Sequence, residues 1–258
     1  MSKLYFRYGA MNSGKSTALL QAAFNYEERG QQVLLAKPDV DTKGDTEIVS
    51  RLGVTRPVDF TVSRDEDIYE AFAAQRARVK KATGLDVSCL LVDEAQFFTE
   101  TQVDDLLRIA ILERVPVLAY GIRTDFQTVA FPGSRRLLEI AHSLEELKTI
   151  CRCGRKAVFN ARTINGEFIF DGDQVAIDTS AELSATGAQD VSYESLCGQC
   201  YLEESDGVLN NGRRPRASFA YTEEPDPDFT WRLCGGRACR DQVERSRDPK
   251  NPALRLCG

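Results

Sequence analysis

The sequence predicts an α/β fold, in which a parallel sheet is covered by helices on both faces and a small cysteine-bearing domain follows. Three observations lead to this fold class. Strand-like and helix-like segments alternate over residues 1–150, as in parallel sheets with crossover helices. The loop GAMNSGKST, at residues 9–17, separates the first strand-like segment from the first helical one. Beyond residue 150, two close cysteine pairs flank short segments rich in β-branched residues.

Each predicted element has its own signal. Strands are expected where apolar runs occur, at residues 3–9, 32–38, 58–62, 87–98 and 116–122, and the fourth run ends in polar residues. Helices are expected at residues 16–29, 65–83 and 101–115. The first helix has apolar residues at helical spacing and is closed by Gly30. The second begins with acids, ends with bases and stops at Gly84, which suits the helix dipole at both ends.

Composition narrows the classes of partner. The 258 residues carry a net charge of −6 and have a pI near 5.1, which argues against a nucleic-acid polymer as the main partner. No apolar run approaches the roughly 20 residues that cross a bilayer, and no signal-peptide layout is present. We therefore expect a cytoplasmic protein without a membrane partner. In that compartment the eight cysteines are thiols or metal ligands rather than disulfides.

The pattern Gly9-x4-Gly14-Lys15-Ser16 follows a strand and opens a helix, which is the context of a phosphate-binding P-loop. Its glycines let successive backbone N–H groups point at phosphate oxygens, and the helix N-terminus adds to the attraction. Lys15 would bridge the β- and γ-phosphates, and Ser16 would ligate Mg²⁺. The alternative is an ordinary strand–helix turn with a surface lysine. The pattern predicts that a nucleoside triphosphate binds here.

Two acids, Asp93 and Glu94, stand where the buried run CLLV emerges at its carboxyl end. Ligands bind at that edge of a doubly wound sheet, and an Asp there can hold Mg²⁺ through water. We expect Glu94 to point to the opposite strand face from Asp93 and to take a proton from whatever attacks the γ-phosphate. If water attacks, the protein is an ATPase or a GTPase-like switch; if a substrate hydroxyl attacks, it is a kinase.

Two cysteine pairs lie at residues 151–153 and 197–200. The four thiolates, Cys151, Cys153, Cys197 and Cys200, would clamp Zn²⁺ tetrahedrally in a closed, structural site. Redox or free thiols are the alternative. The segment between the pairs, pinned at both ends, would serve as a lid or acceptor-binding wall. Cys89 is expected in the core, and His142 at a helix end.

The ordered motifs GxMxSGKST, LLVDEAQFF, YGIRTDF, LKTICRCGRKA and YxSxCxxC resemble the cellular-type (type II) thymidine kinases, particularly their bacterial members. The resemblance runs from about Leu4 to Tyr201. It implies a RecA-related P-loop domain and a zinc-bound lasso that encloses thymidine. It also implies transfer of the ATP γ-phosphate to the thymidine 5′-hydroxyl, giving dTMP and ADP for nucleotide salvage and DNA synthesis, by a homotetramer.

The resemblance also implies roles for individual residues. Glu94 is the general base. The ATP and Mg²⁺ residues are Gly9, Ala10, Met11, Asn12, Ser13, Gly14, Lys15, Ser16, Asp93, Glu94, Ala95 and Gln96. The thymidine residues are Met11, Phe97, Phe126, Phe131 and Tyr193. The zinc ligands are Cys151, Cys153, Cys197 and Cys200.

The predicted domains are a kinase domain at 1–150, a zinc-bound lasso domain at 151–201 and a disordered tail at 202–258. The chain departs from the family in carrying Lys43 where relatives have an arginine, and in the lasso insert DTSAELSATGAQD at 178–190. These departures make a catalytically weak binding protein an alternative. A different deoxynucleoside kinase is a further alternative, which an assay with thymidine would distinguish.

Overall fold

The computed structural model of the chain describes residues 2–39, 47–172 and 190–209. Its first eight strands are β1 (Leu4–Tyr8), β2 (Gln32–Pro38), β3 (Glu47–Val49), β4 (Thr55–Pro57), β5 (Phe60–Val62), β6 (Val87–Val92), β7 (Val117–Gly121) and β8 (Ser143–Glu146). Six of them form one sheet in the order β5-β2-β6-β7-β1-β8, and every neighbouring pair is parallel. The carboxyl ends of these strands therefore meet at one edge. The remaining two, β3 and β4, form an antiparallel hairpin.

Helices cover both faces of the sheet. They are α1 (Lys15–Glu27), α2 (Ile68–Thr83), α3 (Glu100–Leu112) and α4 (Pro132–Ile140). On one face, Leu19 and Ala23 of α1 pack with Leu35 and Leu91 of the sheet. On the other face, a larger apolar cluster joins the sheet to α2, α3 and α4. The predicted α/β fold class, with a parallel sheet between two helical layers, is confirmed.

Capping side chains and a glycine set several ends of the predicted helices. The side chain of Asp67 accepts hydrogen bonds from the first-turn amides of α2, and Gly84 ends that helix in the left-handed conformation. Thr99 and Gln102 form a reciprocal capping box at the start of α3. The three helices predicted in this part of the chain are confirmed, with shifts of a few residues at their ends.

The predictions gave no residue range for the β3–β4 hairpin, for α4 or for β8, although His142 was expected to lie at the end of a helix. The hairpin strands are three residues long, and only Ile48 of β3 is buried. Helix α4 has nine residues, begins with Pro132 and depends on its packing against neighbouring elements. Strand β8, with the sequence SLEE, lies at the sheet edge and lacks an apolar period. Short or polar elements of this kind carry too weak a periodic signal to be recognised.

The chain after residue 146 forms a second set of elements. They are β9 (Thr149–Ile150), β10 (Lys156–Ala157), β11 (Phe159–Ile164), β12 (Glu167–Ile169), β13 (Val191–Leu196) and α5 (Gly198–Glu204). Strands β9 and β10 pair with each other, and β11 pairs with β12 on one side and β13 on the other, all antiparallel. These elements have an apolar cluster of their own, which includes Ala161, Leu196 and Tyr201. The domain division at residue 150 stays a prediction.

Helix α5 extends to Glu204, three residues into the segment predicted to be tail. The helix is supported by Tyr201, which is buried, and by a hydrogen bond from Gln199 to Glu203 one turn later. The predictions for Lys43, for residues 178–189 of the lasso insert and for residues 210–258 of the tail lie outside the described residues. Within the described ranges, no helix combines the length and apolar character required to cross a membrane.

Candidate nucleotide and acceptor site

The loop at residues 9–14 joins β1 to α1 at the carboxyl edge of the sheet. A Cβ atom at Gly9 would lie 2.6 Å from the carbonyl oxygen of Leu147, so only glycine fits. Gly14 has a φ of 76°, the left-handed conformation that glycine adopts readily. Among the described residues no side chain caps α1, so its first amides are left to bind a ligand. This geometry suits the phosphate-binding role predicted for the loop.

Lys15, the first residue of α1, is only 9% exposed. Its Nζ donates a hydrogen bond to the carbonyl oxygen of Ala10, 3.1 Å away. Burial lowers the pKa of Lys15, and the negative charges of Glu94 and Asp93 oppose that shift. The ammonium group therefore lies close to both predicted carboxylates, in surroundings where an anionic ligand would be bound strongly.

Asp93 directly follows the end of β6 and is 4% exposed. Its Oδ2 accepts a hydrogen bond from the hydroxyl of Ser16 at 3.2 Å. Burial, together with the neighbouring charge of Glu94, raises the pKa of Asp93 to about 7. The structure thus brings together Ser16 and Asp93, the pair predicted to assist Mg²⁺, and a bound divalent cation would favour the ionised carboxylate.

The raised pKa of Asp93 predicts a pH-dependent stability. Between about pH 4 and pH 7, the folded protein retains a proton that the unfolded chain has lost, so raising the pH favours unfolding. The penalty is complete above about pH 7. We expect Asp93→Asn to raise the melting temperature of the ligand-free protein, and to raise it more at about pH 8 than at about pH 5. An equal effect at both pH values, measured by thermal unfolding, would contradict the assignment.

Glu94 does not follow the strand alternation that was expected. Strand β6 ends at Val92, and Glu94 has a φ of 50°, a left-handed conformation at the start of a short 3-10 turn, Ala95–Phe97. The expectation that it points to the opposite strand face from Asp93 is therefore wrong, because that rule holds only inside a strand. The Gln96 amide donates to Oε2 of Glu94, and the Ile122 N–H donates to Oε1 of Gln96 at 3.1 Å. Gln96 thus fixes the half-buried carboxylate.

A cavity of about 980 Å³ lies at this edge of the sheet. Lys15, Ser16 and Glu94 line it together with all five residues predicted to surround the thymine base: Met11, Phe97, Phe126, Phe131 and Tyr193. The rings of Phe97 and Phe131 meet edge to face, with centroids 5.5 Å apart. One cavity therefore brings cationic, acidic and aromatic side chains from distant parts of the chain together.

The other predicted ATP residues have different positions. Asn12, with a φ of 65°, and Gly14 line the cavity, as does Gln96. Ala10 is buried within the loop, and the Ser13 hydroxyl is buried beside Gly9. Ala95 is fully buried in the apolar cluster that joins the sheet to α2, α3 and α4, away from the cavity lining. The side chain of Ala95 therefore does not reach the cavity.

The sequence did not predict several polar residues that lie at the cavity or beside it, among them Arg51, Asn160 and Arg162. Arg51, in the turn between β3 and β4, lines the cavity and is exposed. Asn160 of β11 also lines it and is 3% exposed. Arg162 of β11 lies with its guanidinium carbon 3.8 Å from the ring centroid of Phe126. Isolated polar residues in short strands carry no spacing signal, and only the cross-strand pairing reveals which side they face.

The four predicted zinc ligands lie together. Their Sγ atoms are all within 4.8 Å of one another, and those of Cys153 and Cys197 are 3.5 Å apart. Tetrahedral zinc with Zn–S bonds of about 2.3 Å requires sulfurs about 3.8 Å apart, so the cluster fits a structural metal. The backbone amide of Cys200 donates to Sγ of Cys197 and lowers the pKa of that thiol to about 6. The pKa of the Cys200 thiol is raised to about 12. The largest cause is its hydrogen bond with Cys153, followed by burial and by its hydrogen bonds with Cys197 and Cys151.

Two other predictions concern residues outside the cavity. His142 lies two residues beyond the end of α4, and its Nδ1 accepts a hydrogen bond from the Leu4 amide at 3.1 Å. Cys89 is fully buried in β6, beneath α1. The expectations of a helix-end histidine and a core cysteine are confirmed, and neither residue contributes to the cavity lining.

Fold and cavity together place the chain among the α/β proteins that have a ligand-sized cavity at the carboxyl edge of a parallel sheet. Comparison with known proteins narrows this class. The family model described as thymidine kinase matches residues 2–201, and the chain belongs to the thymidine kinase family. Membership in this family makes the protein a kinase, an enzyme of the transferase class.

Individual relatives agree with the family match. The thymidine kinase of Legionella pneumophila (strain Paris) is 45% identical over 188 residues, which cover 72% of this chain and 87% of that protein. The thymidine kinase of Enterobacteria phage T4 is 43% identical over 205 residues, 79% of this chain and 97% of that one. The thymidine kinase of Rhodopirellula baltica is 46% identical over 227 residues, 84% of this chain and 99% of the relative.

Proposed function

We propose that the protein transfers the γ-phosphoryl group of ATP to the 5′-hydroxyl of thymidine, giving dTMP and ADP. The observation that carries the proposal is the shared cavity, which has phosphate-loop residues, a carboxylate and an aromatic pocket in its lining. In the reaction the bond from the γ-phosphorus to the β,γ-bridging oxygen breaks, and a bond from the γ-phosphorus to O5′ forms. The hydroxyl proton passes to Glu94, and the electron pair of the broken bond stays with ADP.

The donor half of the proposed site is built around α1. The amides of the loop and of the first turn of α1 would hold the β- and γ-phosphates, with Lys15 as the adjacent cation. Ser16 and Asp93 would hold Mg²⁺, directly or through water, and that ion would neutralise charge on the phosphate oxygens. Because Lys15 and Asp93 are nearly excluded from water, they would act on the phosphates with little screening.

The acceptor half uses Glu94 as general base. Gln96 holds one carboxylate oxygen of Glu94 and is itself oriented by the Ile122 amide, so the carboxylate has a defined direction. Phe97, Phe131 and Tyr193 would enclose the base and exclude water, which would otherwise attack the γ-phosphate. A neutral sugar hydroxyl is a weak nucleophile, so a carboxylate within hydrogen-bond reach fits the chemistry.

Arg51 supplies a second cation to the donor half. Ser50 fixes the turn that carries Arg51. Its backbone N–H donates a hydrogen bond to the carbonyl oxygen of Val54 at 2.8 Å, and its hydroxyl oxygen accepts one from the Val54 N–H at 3.1 Å. Arg56 then ties the hairpin to α1 through two hydrogen bonds to Glu27, at 2.6 and 2.8 Å. Arg51 is near enough to Lys15 to lower the pKa of that ammonium group, and within the described ranges no carboxylate pairs with it. Phosphate oxygens would satisfy both cations.

Replacing Arg51 with Gln is expected to raise KM for ATP about tenfold, because one charge-assisted contact to phosphate is lost. KM for thymidine should change less than about twofold, since the lost charge would contact phosphate rather than the neutral nucleoside. Steady-state kinetics with each substrate varied in turn measures both constants. Arg78→Gln, on the exposed face of α2, is the control for loss of a positive charge. Equal KM values for ATP in the two variants would rule out a phosphate contact by Arg51.

Zinc at the four cysteines would hold the chain around β9 against the start of α5. This link would affect the acceptor half because Tyr201 belongs to α5. Its hydroxyl donates a hydrogen bond to the carbonyl oxygen of Phe126, 2.6 Å away. Phe126 lines the cavity, so the cysteine cluster supports the pocket wall through α5. The lasso domain at 151–201, the homotetramer and the cytoplasmic location implied by the resemblance stay predictions.

Incubation of the full chain with ATP, Mg²⁺ and labelled thymidine tests the proposal. We expect labelled dTMP and one ADP per dTMP formed. ATP hydrolysis at the same rate with and without thymidine would instead indicate an ATPase or a switch protein. Consumption of another deoxynucleoside, with thymidine left unchanged, would indicate a different specificity. Saturable binding of thymidine without turnover would indicate a catalytically weak binding protein.

A further inference from the structure

One face of the β11–β13 pair is directed at the cavity. The register places Asn160 opposite Ser195 and Arg162 opposite Tyr193, so these four side chains share a face. Asn160 and Tyr193 line the cavity, and Arg162 stacks on the ring of Phe126, which also lines it. The adjacent pair, Thr163 and Ser192, belongs to the opposite face.

Two residues of this face hold the backbone of Met11 from both sides. The Met11 amide donates to Oδ1 of Asn160 at 2.7 Å, and the hydroxyl of Ser195 donates to the Met11 carbonyl oxygen. The amide group of Asn160 also donates to the carbonyl oxygen of Thr124 at 2.9 Å. Asn160 is 3% exposed and Ser195 6%, so water does not compete with these bonds.

The hydrogen bonds from Asn160 and Ser195 matter because of where Met11 lies in the chain. Met11 is in the middle of the 9–14 loop, and Asn12, which follows it, has a left-handed φ of 65°. Fixing the N–H and C=O of one residue fixes the peptide planes on both sides of it, and the loop would bind phosphate through the direction of such planes. The Met11 side chain itself lines the cavity.

We propose that Asn160 and Ser195 are positioning residues that set the conformation of the phosphate loop at residues 9–14. Through that conformation they set the affinity of the loop for the nucleoside triphosphate. Neither residue acts on the phosphates directly; both act through the Met11 backbone. The inference rests on the proposed use of ATP as the donor. It assigns the second set of elements a role in donor binding, beyond the enclosure of the nucleoside.

The test measures the dissociation constant of AMP-PNP with Mg²⁺ by calorimetry, on the full zinc-loaded chain without thymidine. Ser195→Ala and Asn160→Ala are each expected to weaken binding about tenfold, because each removes one buried hydrogen bond to the Met11 backbone. Asn160→Ala also removes the bond to Thr124, which lies outside the 9–14 loop. In the double variant the fold-increase of the dissociation constant should be smaller than the product of the two single-variant increases, because both side chains hold the same residue, Met11. In turnover, KM for ATP should rise in each variant while KM for thymidine changes less than about twofold.

Ser192→Ala is the matched control. It removes a hydroxyl from the same strand, and with it the contact of 2.6 Å to the Thr163 hydroxyl, but on the face turned away from the cavity. It should bind AMP-PNP like the unmodified chain. A merely structural role would lower the melting temperature and the binding stoichiometry, and would leave the dissociation constant of the folded fraction unchanged.

The outcomes separate the two proposals. Dissociation constants within about twofold of the unmodified chain in both Ser195→Ala and Asn160→Ala would overturn the positioning role, whatever the activity. Normal binding of AMP-PNP by the unmodified chain without any dTMP formation would overturn thymidine phosphorylation and leave the positioning role standing. Absence of AMP-PNP binding to the unmodified chain would overturn both.

Discussion

Replacing Glu94 with Gln is expected to lower kcat for thymidine phosphorylation by about 10²–10⁴-fold, the usual contribution of a general base. The amide has almost the shape of the carboxylate and can keep a contact with Gln96, but it cannot accept the hydroxyl proton. Binding of ATP should persist, because the loop and Lys15 are unchanged. Rapid-quench measurement of labelled dTMP, with AMP-PNP binding determined in parallel, separates the chemical step from donor binding.

Glu100→Gln is the control for this experiment. Glu100 is an exposed acid in the first turn of α3, six residues further along the chain, and lies outside the cavity lining. Its replacement should leave kcat within about twofold and affect only the helix-dipole interaction. Retention of more than about a third of the turnover in Glu94→Gln would show that another group accepts the proton.

Replacing Cys197 with Ser is expected to abolish metal binding. A hydroxyl is a far weaker zinc ligand than a thiolate, so zinc should fall from about one per chain to less than about one tenth. Without zinc to hold α5, Tyr201 would lose its contact with Phe126, so KM for thymidine should rise and the described residues 154–172 and 190–196 should become sensitive to protease. Elemental analysis, kinetics and limited proteolysis of the same preparation measure the three effects.

Cys89→Ala provides the comparison for Cys197→Ser. Cys89 is fully buried in β6 and does not belong to the four-sulfur cluster, so its loss should leave the zinc content unchanged. The unmodified chain must be purified under reducing conditions without chelators. If it then contains no zinc, the structural-metal assignment is wrong, and the four cysteines are free or redox-active thiols.

Long elements with clear periodicity could be predicted from the sequence. The helices at 16–29, 65–83 and 101–115 have their observed ends near a glycine or a capping side chain, and the buried strands read as apolar runs. The hairpin that carries Arg51 could not be predicted, because three-residue strands leave no period and their stability comes from packing against α1. Arg51 was missed with it.

The parts of the candidate site that could be predicted are those in which reactive or ligand-binding residue types occur at a characteristic spacing in the sequence. The loop around Lys15, the acids after β6 and the cysteine pairs each have a sequence pattern, and the structure brings each group together. The direction of Glu94 could not be read from strand alternation, because a left-handed residue ends the alternation. Asn160 was missed because its importance comes from its pairing with a residue of β13, far along the chain.

The cavity is assembled from both ends of the described chain: Met11 belongs to its first turn, and Tyr193 to its last strand. During synthesis the N-terminal portion emerges first. A nascent chain therefore carries the 9–14 loop and Lys15 before Asn160 and Ser195, which hold the Met11 backbone, have left the ribosome. If these two residues position the loop as proposed, a partly translated chain would bind a triphosphate only weakly, and turnover would have to wait for the strand that precedes the second cysteine pair.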